Sequence, residues 1–208
     1  MLTRVPALSD LADRVRDTDG RWESVHVRFG SWARRPELRS DLRSHLMNLN
    51  PLSAGSLIAR SRETTTHYAW CLRDRPTEPF SFWLHEYKPQ HDWRAGYADS
   101  VHNHRYHFCT VLLRGGYLHE RFTTTLDDDT GLISSAAMTQ RTECGVGTSG
   151  FLLASEFHRI PQAADDTMTF LIKSRPVTGW SLSYDPHTGV GQRHVPVESR
   201  LEDLTSRI

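Results

Sequence analysis

Hydrophobic positions along the chain change their period near residue 57. Before it they recur at helical spacing. Ser9 is placed to cap a first helix that carries Leu11 and Val15 on one side. Leu38, Leu42 and Leu46, at i, i+4 and i+8, form an apolar stripe on a second, whose first turn suits Pro36 and which ends at Asn48 to Pro51. Such a stripe is read as packing against the rest of the domain. From residue 57 the texture turns to short β-like runs, which predict strands over 67–73, 80–87, 100–104, 107–114, 117–125, 150–160, 167–174 and 180–184. Gly115-Gly116, Asp127 to Gly131 and Asp185 to Gly189 separate them as turns. The pattern predicts a mainly β sandwich or barrel over 57–208, with a helical segment over 1–56 packed on it.

Charge narrows the partners. Lys plus Arg number 25 and so do Asp plus Glu, and this balance offers no attraction to nucleic acid or an anionic membrane. Three cysteines, Cys71, Cys109 and Cys144, have no paired spacing, so they predict free thiols in a reducing cytoplasm. The first residues lack the apolar core of a signal peptide, and no stretch approaches the roughly 20 apolar residues of a membrane span. The unusual count is histidine, at 12.

His102 and His104 flank Asn103 on a predicted strand. Residues two apart on a strand point the same way, so their imidazoles converge on one side. His158, on an apolar run more than fifty residues later, can approach from across the sheets. Three neutral imidazoles suit Fe(II), Zn, Ni or Cu and leave coordination positions for substrate or dioxygen. His107 reads as a hydrogen-bonding or pocket residue rather than a ligand, and His85 as a strand residue.

The spacing around these histidines resembles the first cupin motif. Gly96 is followed by five residues, His102-x-His104, four residues, Cys109, six residues and Gly116, with cysteine where cupins carry glutamate. Gly147 and His158 fall at the offset of the second motif. A cysteine in the glutamate slot is the pattern of cysteine dioxygenase and related thiol dioxygenases. Phe108-Cys109, Leu112 to Gly115, Phe157 to Ile160 and Ser183 to Gly189 also resemble segments of that family. The resemblance implies a cupin-type jelly-roll β-barrel with an N-terminal helical segment. It also implies Fe(II) held by His102, His104 and His158, with Cys109 beside the metal in a catalytic place.

This chain departs from the family at two places. Lys173 stands where the family's late-strand tyrosine would, and Leu171 where a histidine is expected, so a Cys–Tyr crosslink is not supported. Trp70, after Tyr68, stands near the place of the carboxylate-binding arginine and would line a more apolar pocket. Trp93, in the segment before the His-x-His strand, is a further candidate for the pocket mouth. The expected activity is therefore an Fe(II)-dependent oxygenase using O2 on a small thiol or amino-acid-like metabolite other than free cysteine. A cupin oxygenase of a non-thiol substrate and a non-catalytic metal-containing binding protein are the alternatives. Cupins often dimerise, so monomer and homodimer both stay open.

Overall fold

The computed structural model describes residues 6–16, 21–196, 200 and 204–207. Four helices lead: α1 (Pro6–Arg16), α2 (Trp22–Ala33), α3 (Leu38–Met47) and α4 (Pro51–Arg60). Six strands follow as β1 (Arg62–Glu63), β2 (His67–Asp74), β3 (Phe80–Tyr87), β4 (Val101–His102), β5 (Phe108–Arg114) and β6 (Gly116–Leu126). The remaining six are β7 (Ile133–Gly145), β8 (Ser149–Leu152), β9 (Phe157–Ala163), β10 (Met168–Ser174), β11 (Ser181–Asp185) and β12 (Val190–His194).

These strands form two antiparallel six-stranded sheets, ordered β1-β2-β3-β10-β5-β8 and β12-β11-β4-β9-β6-β7. The pairs β6·β7, β5·β8, β4·β9 and β3·β10 nest around one hairpin. Pairs β3·β10 and β5·β8 lie in the first sheet, and β4·β9 and β6·β7 in the second. A long hairpin rolled so that neighbouring pairs fall in opposite sheets is a jelly roll. No ladder joins the sheet edges among the described residues, so the expected barrel is a two-sheet sandwich. The switch from β5 to β6 is made at Gly115, whose φ of 69° only glycine adopts freely.

The first sheet is covered on both faces. Phe82, Leu84, Cys109, Val111, Phe170 and Ile172 point outward and pack under Leu11, Val15, Trp22, Phe29, Trp32 and Leu42 of the helices. Phe29 stacks on Phe170 at 6.0 Å. Residues of opposite parity, among them His85, Phe108, Thr110, Leu171 and Lys173, point between the sheets into a cavity of about 700 Å³.

The helical segment differs in detail from its sequence pattern. Ser9 sits inside α1, which starts at Pro6, and its hydroxyl receives a hydrogen bond from Arg73 Nη1 at 3.2 Å. Leu38 and Leu42 are buried, whereas Leu46 reaches solvent. Asn50 and Pro51 open α4, because the Asn50 side chain accepts from the Ser53 N–H at 2.9 Å and proline suits the first turn. Helix α4 therefore runs through residue 56, to Arg60. The run over 150–160 is two strands, β8 and β9, one in each sheet, with the turn between them closed by a bond from Glu156 N–H to the Leu153 carbonyl.

Candidate metal centre

Strands β4 and β9 pair at a single register position, His102 opposite His158, which puts both imidazoles on the inner face of the second sheet. His104 lies just past the end of β4. Asn103, between the two, holds that loop in place: its amide donates to the Ala154 carbonyl at 3.0 Å and accepts from Leu182 N–H at 2.7 Å. The Tyr97 hydroxyl donates to the Asn103 carbonyl, and its ring lies 4.5 Å from that of His102. As a result, one ligand nitrogen from each of His102, His104 and His158 lies within 4.8 Å of the others.

The outer ring nitrogens explain the orientation. His102 Nδ1 donates to the Ser100 carbonyl at 2.8 Å, which leaves Nε2 facing inward. His158 Nδ1 is 3.1 Å from His119 Nε2, and His158 Nε2 is 2.9 Å from His104 Nε2. A metal-binding imidazole commonly has its far nitrogen fixed in this way. Burial lowers the pKa of all three. That of His102 falls to about 4, and those of His104 and His158 lie well below the usual histidine range, with His102 adding to the shift in both. The rings are therefore neutral near pH 7, the form that donates a lone pair to a metal. Donor type, convergence and protonation state fit a divalent ion held by three imidazoles.

Histidine His119 was not singled out by the sequence. It lies on β6, near the Arg121 that pairs with His158, and burial followed by Arg121 lowers its pKa to about 4. Only the strand register could have revealed it. Beside the centre, Phe108, Leu152 and Leu171 form a small apolar cluster with Trp83 and Tyr106 packed against it. Phe108 meets His104 edge-on at 5.0 Å.

The other sequence candidates are placed differently. Lys173 lines the cavity and is 3% exposed. Cys109 is fully buried in the helix-facing core and does not line the cavity. The chain changes sheets between His104 and Phe108, so alternation counted from the histidines does not carry across that bend. Burial raises the Cys109 thiol pKa, and no cation among the causes offsets it. Trp70 also faces the helices, with its indole N–H on Glu86 at 2.9 Å, and Tyr68 is 39% exposed. The apolar wall expected from Trp70 is therefore absent from the cavity. The Trp93 N–H donates to the Lys88 carbonyl at 3.0 Å and braces the loop outside the cavity lining. His107 Nδ1 accepts from Ala154 N–H at 2.9 Å, beside Trp22, and also stands outside the lining.

In fold and site this is a two-sheet jelly roll with a three-histidine group between its sheets that could hold a metal ion. No family model matches the chain, and no curated protein matches it. Solved structures similar to it include oxalate decarboxylase from Bacillus subtilis, in work on its Mn(II) centres, at 14% identity and TM-score 0.40 over 61% of this chain and 30% of that one. A formate complex of Lactobacillus farciminis oxalate decarboxylase is 18% identical, at TM-score 0.38 over 57% of this chain and 31% of that one. The 7S globulin of Momordica charantia is 11% identical, at TM-score 0.41 over 65% and 35%. The likeness thus spans about a third of the length of each of those chains. No helix among the described residues is long and apolar enough to cross a membrane.

Proposed function

We propose that this chain is a mononuclear, metal-dependent cupin oxygenase that holds Fe(II) through His102, His104 and His158 and acts on a small metabolite other than free cysteine. The observation that carries the reading is the convergence of three neutral imidazoles on one side of a ligand-sized cavity. Zn, Ni and Cu suit the same donors. Bound ferrous iron would supply dioxygen activation and take the substrate's donor atom as an anion, which removes the need for a separate general base.

The chain's own residues would hold and shield the substrate. Phe108, Leu152 and Leu171 keep water from the side of the centre next to His104. Tyr106 lies 5.2 Å from the His104 ring, and burial holds it as a phenol able to donate a proton or a hydrogen bond. His119 Nε2, 3.1 Å from His158 Nδ1, would accept its proton and so hold His158 in the tautomer whose Nε2 lone pair faces the cavity.

A thiol substrate is the reading we favour from the likeness to thiol dioxygenases. A non-thiol bidentate substrate is the second, and the orientation of Cys109 toward the helices favours it. Oxygen uptake by the anaerobically Fe(II)-loaded protein, measured with small thiols and with matched hydroxy and keto acids, separates the two. Stoichiometric zinc with no iron-dependent uptake for any of them would leave a binding protein and overturn the oxygenase reading.

A further inference from the structure

We propose that Lys173 anchors an anionic group of the substrate, and that the substrate is an anion without an ammonium group, such as a mercapto-, hydroxy- or keto-carboxylate. This deepens the reading above and rests on it only for the end of the ligand that meets the three histidines.

The first observation is a buried amine without a counter-ion. Lys173 Nζ sits 4.3 Å from the Trp83 ring centroid and 5.1 Å from that of Tyr106, and it is 3.2 Å from His85 Nε2. Two aromatic faces and one ring nitrogen can hold an ammonium, but they do not neutralise it. Other well-covered cations of this fold have carboxylate partners: Lys88 has Glu63 and Arg73 has Glu78. Lys173 has no ion pair among the described residues, and neither have Arg62 and Arg105, which line the same cavity. Burial and then Arg62 push the Lys173 amine well below the ordinary lysine range, and a bound anion is what would restore its proton there.

The second observation is the cavity wall. Arg62, Arg105, Arg121 and Lys173 contribute to its lining, and among the described residues no aspartate or glutamate does. Of these, Arg121 alone is neutralised by a described residue, Glu156 at 2.8 Å. His67, stacked on His85 at 4.3 Å, is pushed down to about 3 by burial with Lys173 adding to it, so it brings no balancing charge. An amino acid would bring its ammonium into this field with nothing to balance it. Tyr106 relates the two ends of the site, lying beside both His104 and Lys173, so a short molecule can reach from the anchor to the three histidines.

Calorimetry on the protein tests this, both free of metal and loaded anaerobically. The probes are 3-mercaptopropionate, propionate, cysteamine and L-cysteine. The expected result is that 3-mercaptopropionate binds about tenfold or more tighter than cysteamine and L-cysteine. Its Kd should rise about tenfold or more in Lys173→Met and stay within about threefold in Lys173→Arg. Propionate, which has no thiol, should show the same Lys173 dependence on metal-free protein. Equal binding by wild type and Lys173→Met, or L-cysteine binding as tightly as 3-mercaptopropionate, would overturn the proposal. The wild-type ranking of the four probes decides the exclusion of the ammonium group even where Lys173→Met does not fold, since L-cysteine matching 3-mercaptopropionate overturns the proposal without any variant. Lys173-dependent propionate binding without oxygen uptake on any acid would leave the anchor standing and refute the oxygenase. Oxygen uptake on cysteamine unaffected by Lys173→Met would do the reverse.

Discussion

Individual side chains here act through what fixes them. His158 is oriented by His119 at 3.1 Å, so His119→Ala should weaken metal binding by about 10- to 100-fold while leaving the fold in place, read by competition with a chelator. Cys109 lies in the core beneath the helices, so Cys109→Ala should leave metal content unchanged and cost only stability. A loss of metal in Cys109→Ala would return that residue to the centre. The three candidate ligands were legible in the sequence because ligand type, spacing and strand parity act together at His102 and His104. Cys109 was placed beside the metal by its slot in the motif, but the chain bends into the other sheet after His104, the alternation restarts and the thiol faces the helices. Trp70, placed by analogy with the arginine position of the resembled family, lies instead on the outer face of β2 with its indole on Glu86. Lys173 was reached only by analogy of position, and its significance comes from neighbours distant in sequence.

At the scale of elements, most strands were legible because both faces of the first sheet are covered and apolar runs mark them. Strand β7 was not, since it lies at a sheet edge and many of its Ser, Thr and Ala side chains face solvent. Helix α4 was hidden because Asn50 and Pro51 signal a stop for one helix as well as they signal a start for the next. Gly115 carries the change of sheet: a Cβ there would lie 2.4 Å from Thr167 Oγ1, at a φ of 69°. Gly115→Ala should therefore lose about 2 kcal/mol or more in denaturant unfolding, from the left-handed backbone and the clash together. Phe29→Ala, which opens a cavity against Phe170 between α2 and the sheet, should cost about 3–5 kcal/mol in the same experiment.

Across the whole molecule the helices and the cavity occupy opposite faces of one sheet, so fold stability and site chemistry are separable by mutation. They are coupled by acid. His67, at about 3, and His119, at about 4, are held neutral by burial, whereas in the unfolded chain a histidine titrates near 6.5. The unfolded state therefore takes up more protons as pH falls below about 6.5. The stability these groups contribute is fully present above that pH and is lost as pH drops toward the folded values. Thermal melts of the metal-free protein should shift to lower temperature between about pH 7 and pH 5, and a flat profile would mean these rings are solvated. The most direct test of the three-histidine centre is metal stoichiometry after anaerobic Fe(II) titration and desalting, on wild type and His104→Ala side by side. One iron per wild-type chain and essentially none on His104→Ala is the predicted result; a wild type that retains no metal, or a variant that retains as much as wild type, would contradict it.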